Sequence, residues 1–263
     1  MRALPVRQVK KQGFIDAPEC VILSAMKLNA DVGEGVGDDV ALFEWIDMAN
    51  VACGVHAGGH EEMVRAVDLA MSYGVAVGAH PGYPDRDGFG RRSMDLSPGE
   101  IGRLVIEQVE ALDRVCQSLG ARVQYVKPHG ALYHDMMARE DIYEAILQAV
   151  AWLPDSRALM VMARGDDSRD RKLAAKHAVP LLFEAFADRA YTADGMLMDR
   201  LENGAVYNDP QRMVRQASEL AQDGSVTSHC GRVIPIVADT VCVHGDNKAS
   251  IEAARQIHLA LRT

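Results

Sequence analysis

Three short clusters in the first third of the chain carry side chains suited to proton transfer and metal binding. They read N-A-D-V-G-E-G at 29–35, A-C-G-V-H-A-G-G-H at 52–60 and V-G-A-H-P at 77–81. Each follows a short apolar run that stops abruptly in Gly, His, Asp or Glu, as expected where a buried strand leaves the fold. Asp31, His56 and His80, drawn together from neighbouring strands, could hold a divalent metal, because imidazole nitrogen and carboxylate oxygen suit such ions. No fixed-spacing motif such as H-E-x-x-H is present. Without a metal the same groups can work as general acid and base, since an imidazole titrating near neutrality and a carboxylate shifted by burial suit proton transfer. The residue types leave both readings open.

Later segments add groups of the same kind. K-P-H-G at 127–130 sets an ammonium and an imidazole at one strand exit, with Pro128 stiffening the turn. Lys127 can polarise a carbonyl, neutralise a developing oxyanion, or simply pair with a rim aspartate. F-G-R-R at 89–92 places Arg91 in a loop suited to clasping a carboxylate or phosphate, and a loop reaching over the site would act as a lid. The candidate catalytic groups are therefore Asp31, His80, Lys127 and His129. Glu34, Asp85, Arg91, Asp188, Arg189, His244 and Asp246 are the candidate substrate contacts. Among the nine histidines, His56, His80, His129 and His244 share this set of strand exits, whereas His60, His134, His177, His229 and His258 fall in helical or loop contexts.

The elements that must position these groups are legible as alternating apolar runs and helical periodicity, the signature of repeated β-α units around a parallel sheet. Strands are expected over Met26–Ala30, Met48–Cys53, Val75–Ala79, Val123–Lys127, Leu159–Ala163, Val179–Phe186 and Thr240–His244. Met63, Ala66, Val67, Ala70 and Met71 mark the buried stripe of a helix over Glu61–Tyr73. Ser97-Pro98-Gly99-Glu100 has capping-box spacing with Pro at the first helical position, and the helix it opens should end at Gly120. Further helices are expected over Asp141–Leu153, Pro210–Ala221 and Asn247–Leu261. Seven β-α units without a Gly/Pro/Ser-rich linker fit one TIM-like β/α barrel better than an open doubly wound sheet. Such barrels gather their chemistry at the C-terminal strand ends, which is where these residues fall.

The totals exclude other classes. With 28 Lys and Arg against 37 Asp and Glu, the net charge of −9 argues against nucleic acid or an anionic membrane as the main partner. No run approaches the ~20 apolar residues of a membrane span, and no secretory signal is visible. Five widely spaced cysteines without a C-x-x-C pair read as reduced, mostly core residues of a cytoplasmic protein. Residues 1–25 read as a flexible extension and 26–263 as a single barrel domain. P-loop, dinucleotide-binding and G-x-S-x-G patterns are all missing.

At the segments L-N-A-D-V-G-E, A-N-V-A-C-G-V-H-A-G, G-A-H-P-G-Y-P-D-R, K-P-H-G-A-L-Y, F-A-D-R-A-Y and A-D-T-V-C-V-H-G-D the chain resembles the LamB/YcsF family of lactam-utilisation proteins, described as the A subunit of bacterial 5-oxoprolinase. The resemblance implies a distorted seven-stranded barrel of the glycoside hydrolase/deacetylase type. It further implies ATP-dependent opening of 5-oxo-L-proline to L-glutamate together with two partner subunits, which would carry most of the nucleotide chemistry. Where the family pattern continues H-A-G with Asp, this chain has Gly59. The alternatives are a stand-alone metal-dependent amide or sugar deacetylase and a non-catalytic binding subunit.

Overall fold

The computed structural model describes residues 26–244 and 248–262. The expected extension at 1–25 lies outside the described residues, as does Asp246. In chain order the elements are β1 (Lys27–Val32), α1 (Asp39–Phe43), β2 (Met48–Ala52), α2 (His60–Tyr73), β3 (Ala76–His80), α3 (Pro98–Leu119), β4 (Tyr125–Val126), α4 (Gly130–Ala138), α5 (Glu140–Trp152), β5 (Ala158–Met162), α6 (Ser168–Lys176), β6 (Leu181–Phe186), α7 (Pro210–Gln222), β7 (Ser225–Thr227), β8 (Val233–Pro235), β9 (Thr240–Cys242) and α8 (Lys248–Ala260). Seven parallel strands close in the order β1-β2-β3-β4-β5-β6-β9. Closure is made by β9, which pairs with β1 on one side and β6 on the other, so the sheet is a barrel and not an open doubly wound sheet.

The local grammar explains the helices that frame it. Ser97 and Glu100 form the expected capping box, Pro98 opens α3, and Gly120 closes it in the left-handed conformation. Gly74 closes α2 in the same way. The antiparallel pair β7-β8 stands apart from the barrel and was not expected, because strands of three residues are too short to show alternation. No helix among the described residues is long and apolar enough to cross a membrane.

Side chains alternate across each strand, and this sorts the barrel into two interiors. Leu28, Ala30 and Val32 of β1 face outward into the large core shared with the helices. The opposite parity fills the lumen in layers. At the bottom, Met48, Tyr125 and Met160 pack together with Ala76, Ala158 and Leu182 as an apolar plug. Above it the lumen turns polar, whereas parallel barrels are usually filled with branched apolar residues. Asn29 donates to Thr240 Oγ1 at 2.9 Å, Asn50 donates to Asn29 Oδ1 at 2.8 Å, and Tyr125 donates to Asn50 Oδ1 at 2.8 Å. Every layer above the plug thus begins from a fixed hydrogen-bonded floor.

Tyr125 reaches Asn50 by lying across Gly78, where an added Cβ would overlap its ring. Gly78 does not occupy the left-handed region, so the requirement is for space alone. Gly78→Ala should therefore cost about 1–3 kcal/mol through overpacking. Urea denaturation should show a lower midpoint with an unchanged slope, and an unshifted midpoint would contradict this account of the lumen.

Candidate active site

Lys127 follows β4 directly and turns into the lumen, where it is almost fully buried. Its Nζ lies 2.9 Å from Asp31 Oδ1 and 2.8 Å from Glu184 Oε1. Burial opposes the charge on Asp31, yet His80 and Lys127 hold its carboxyl well below the usual range. Burial opposes the charge on Lys127 too, yet Asp31, Cys242 and Glu184 hold it well above the ordinary lysine value. Asn50 gives Asp31 Oδ1 a second donor at 2.8 Å, and Tyr133 donates to Glu184 Oε2 at 3.3 Å. The plain ion pair foreseen for Lys127 exists, with a second carboxylate added.

The other oxygen of Asp31 faces the mouth. Its Oδ2 lies 3.3 Å from His80 Nε2 and 3.5 Å from His244 Nε2. His244 is backed by Asp188, whose Oδ2 accepts from Nδ1 at 2.6 Å. Burial works against charge on both partners, but their pairing lowers the Asp188 pKa and raises that of His244. The far nitrogen, Nε2, lies between Asp31 Oδ2 at 3.5 Å and Arg200 Nη2 at 3.4 Å, and an imidazole oriented in this way by a buried carboxylate can serve as a general acid or base.

A second cluster adjoins the first. Glu34 Oε1 lies 3.5 Å from His56 Nε2 and 3.4 Å from His129 Nδ1. The His56 and His129 rings stack with centroids 3.9 Å apart, and His80 stands edge-on to both. His80 Nδ1 is 2.7 Å from the Lys127 carbonyl and His129 Nε2 is 2.8 Å from the Phe89 carbonyl. A carbonyl only accepts, so those two nitrogens carry the protons. Burial pushes Glu34 up to about 7, helped by Asp31. Burial pushes His56 down to about 4, and burial with the neighbouring imidazoles takes His129 down to about 2.

The LamB/YcsF family profile matches residues 26–263. The chain belongs to the LamB/YcsF family. It is 47% identical to a 5-oxoprolinase A subunit of Pseudomonas aeruginosa over 239 residues, 89% of this chain and 95% of that protein. It is 49% identical to a 5-oxoprolinase A subunit of Pseudomonas putida over 245 residues, 91% of this chain and 95% of that protein. Among solved structures, the lactam utilization protein of Thermus thermophilus superimposes with a TM-score of 0.83 at 37% identity, covering 90% of this chain and 96% of that one.

In this LamB/YcsF barrel the expected residues divide by what they touch. Asp31, His56, His80, Lys127, His129 and His244 converge as expected, and Asp188 joins them through His244. Asp31, however, does not complete a metal trio with His56 and His80. It sits within β1 and its Oδ1 is engaged by Lys127 and Asn50, while Glu34, three residues later in the loop, reaches His56 and His129. Asp85 is engaged inside its own loop by Arg92 and the Gly88 backbone. Arg189 points its guanidinium at the Ala205 and Met198 carbonyls, tying down the segment after β6. Arg91 is at the mouth, over the Phe89 ring and close enough to Glu34 to oppose the rise in its pKa.

Sequence reasoning missed Glu184, Asn29, Asn50 and Tyr125. It also missed two buried glutamines that fix the loops after strands: Gln108 clamps the Gly82 backbone from both sides, and Gln216 donates to the Phe186 and Arg189 carbonyls. The sign for Glu184 was a lone carboxylate inside an apolar strand, which can only be buried if paired. Cys53, adjacent to the second cluster in sequence, is no nucleophile, since burial pushes its thiol up to about 12. Gly59 is the N-cap of α2 and gives no side-chain cap, so the departure from the family Asp falls on a helix end.

The Asp188–His244 pair gives stability a defined pH window. Asp188 titrates below its ordinary 3.8 when folded, so its contribution is complete above that value and is lost as pH falls through the depressed pKa. His244 titrates above its ordinary 6.5, so its contribution is complete below that value and is lost as pH rises through the raised pKa. The stability difference between wild type and His244→Gln should peak between 3.8 and 6.5 and shrink on both sides, as read from denaturation curves across pH. A difference independent of pH would contradict the pairing.

Proposed function

We propose that this chain is the A subunit of an ATP-dependent 5-oxoprolinase, which opens the lactam of 5-oxo-L-proline to L-glutamate at the barrel mouth with two partner subunits. The observation carrying this reading is the likeness, at 47% and 49% identity and across 95% of their length, to proteins named as 5-oxoprolinase A subunits. The shape of the site is compatible with it. A lactam carbonyl is a weak electrophile, and transfer of a phosphoryl group from ATP to its oxygen makes the ring carbon open to water. The chain has no P-loop, which fits a division in which the partners handle ATP and this barrel holds the lactam.

Ring opening then needs a proton taken from water and a proton given to the departing nitrogen. In this reading His244, whose pKa is raised by its pairing with Asp188, gives that proton. Asp31 Oδ2, facing the same space, is placed to orient the attacking water, while Lys127 and Asn50 fix its carboxylate from below. Lys127 is a positioning residue in this scheme, being buried between two carboxylates. Arg91 at the mouth supplies a guanidinium for the substrate carboxylate.

The purified chain mixed with its partner subunits, ATP and 5-oxo-L-proline should release glutamate and phosphate in equal amounts, and the chain alone should release neither. Asp31→Asn, which keeps side-chain shape, should lower coupled turnover by about 10²–10⁴-fold. Unchanged turnover in that variant would remove Asp31 from the mechanism, and amide hydrolysis by the chain alone without ATP would displace the whole reading.

A further inference from the structure

We infer that Glu34, His56, His80 and His129 form a binding site for one divalent transition-metal ion of the zinc type. The four candidate ligand atoms all lie within 4.8 Å of one another. They comprise three imidazole nitrogens and one carboxylate oxygen, a donor set that favours zinc-like ions over magnesium or calcium, which prefer oxygen.

His80 gives its Nδ1 proton to the Lys127 carbonyl and His129 gives its Nε2 proton to the Phe89 carbonyl. With those protons turned outward, His80 Nε2 and His129 Nδ1 face each other 2.9 Å apart, a contact that needs a proton or a metal ion between the two nitrogens. Two lone pairs at that distance repel unless a cation lies between them. Beside them, neither nitrogen of the fully buried His56 has a hydrogen-bond partner, nor does Glu34 Oε1. Orphaned buried polar groups of this kind are rare and point to a missing ion or ligand.

The spacing fits the same ion. Ligands at the ~2.0–2.1 Å typical of zinc to nitrogen or oxygen stand about 3.3 Å apart around a tetrahedron. Of the six separations, which all fall within 4.8 Å, three are 2.9 Å for His80 to His129, 3.4 Å for His129 to Glu34 and 3.5 Å for Glu34 to His56. The two carbonyls that fix the His80 and His129 tautomers are the outer-shell partners that metal-bound histidines normally have. The surroundings also attract a cation, because Asp31 Oδ2 lies 3.3 Å from His80 Nε2. Gly90 closes the site from above: its φ of +65° and lack of a Cβ let the loop lie against His56 and His129. Glu34, whose side chain is 12% exposed, is the most solvent-accessible of the four.

The inference holds whichever amide the barrel processes, and its readout is metal content, so its failure is separate from any failure of turnover. The full-length chain, stripped with a chelator and dialysed, is titrated with Zn²⁺ and with Co²⁺. One equivalent should bind, and the Co²⁺ form should show the strong visible bands of a four-coordinate ion without a thiolate charge-transfer band. His56→Gln and Glu34→Gln should weaken binding by at least about 100-fold, whereas Asp31→Asn should retain the ion. Failure of the wild-type chain, with native circular dichroism, to bind either metal would leave a shared proton between His80 and His129 and overturn the inference. Loss of binding in Asp31→Asn with retention in Glu34→Gln would overturn the ligand assignment.

Discussion

The interior of this barrel is organised by one buried ammonium. Moving Lys127 out of water is tolerable only because two carboxylates from distant strands, Asp31 of β1 and Glu184 of β6, meet it. Those carboxylates need donors of their own: Asn50 is polar where a barrel strand would ordinarily carry a branched apolar residue, and Tyr133 reaches Glu184 from α4. Asn50 in turn requires Tyr125 and Asn29, and Asn29 requires Thr240. A single desolvated charge thereby dictates residue types on five strands and the gap at Gly78 that lets Tyr125 cross. It also fixes Asp31, from which the mouth of the site is measured.

The two clusters at the mouth share this support but differ in kind. Around Asp31 and His244, charges are paired and every shift in pKa follows from the pairing. Around His56, burial dominates and lowers the pKa values of His56 and His129, while main-chain carbonyls set the orientation of His80 and His129. His80 belongs to both, since its Nε2 faces Asp31 and His129 alike. Chemistry at one cluster is therefore electrostatically visible to the other.

Much of this was legible from the chain. The seven strands, the capping box of α3 and the gathering of four histidines are local patterns, and local patterns are what a sequence displays. Which of two acids three residues apart would turn to which partner was not legible. Asp31 and Glu34 differ in that one lies within β1 and the other in the loop beyond it, a boundary that propensity places only to within a few residues. Asp85 and Arg189 had the right chemistry and the right neighbourhood, but backbone and a neighbouring arginine claim them. Glu184 was readable by parity: it stands two residues from Leu182 and Phe186, on the lumen side, as Asp31 stands two from Asn29. Only the contacts across the barrel reveal that these parities agree.

That dependence on parity sets what kind of inheritance the site can survive. Asn29 and Asp31, Gly78 and His80, and Thr240 and Cys242 work as alternate residues on short strands, and Tyr125 keeps the same spacing to Lys127 just beyond β4. A single-codon insertion or deletion within any of these strands would exchange its two faces, sending the polar pair into the helix-facing core and an apolar pair into the lumen. Length change is thus confined to the connecting loops, where the site's reach can be retuned without inverting it. Descendants of this barrel can vary what lies over the mouth far more freely than the spacing of what lies within.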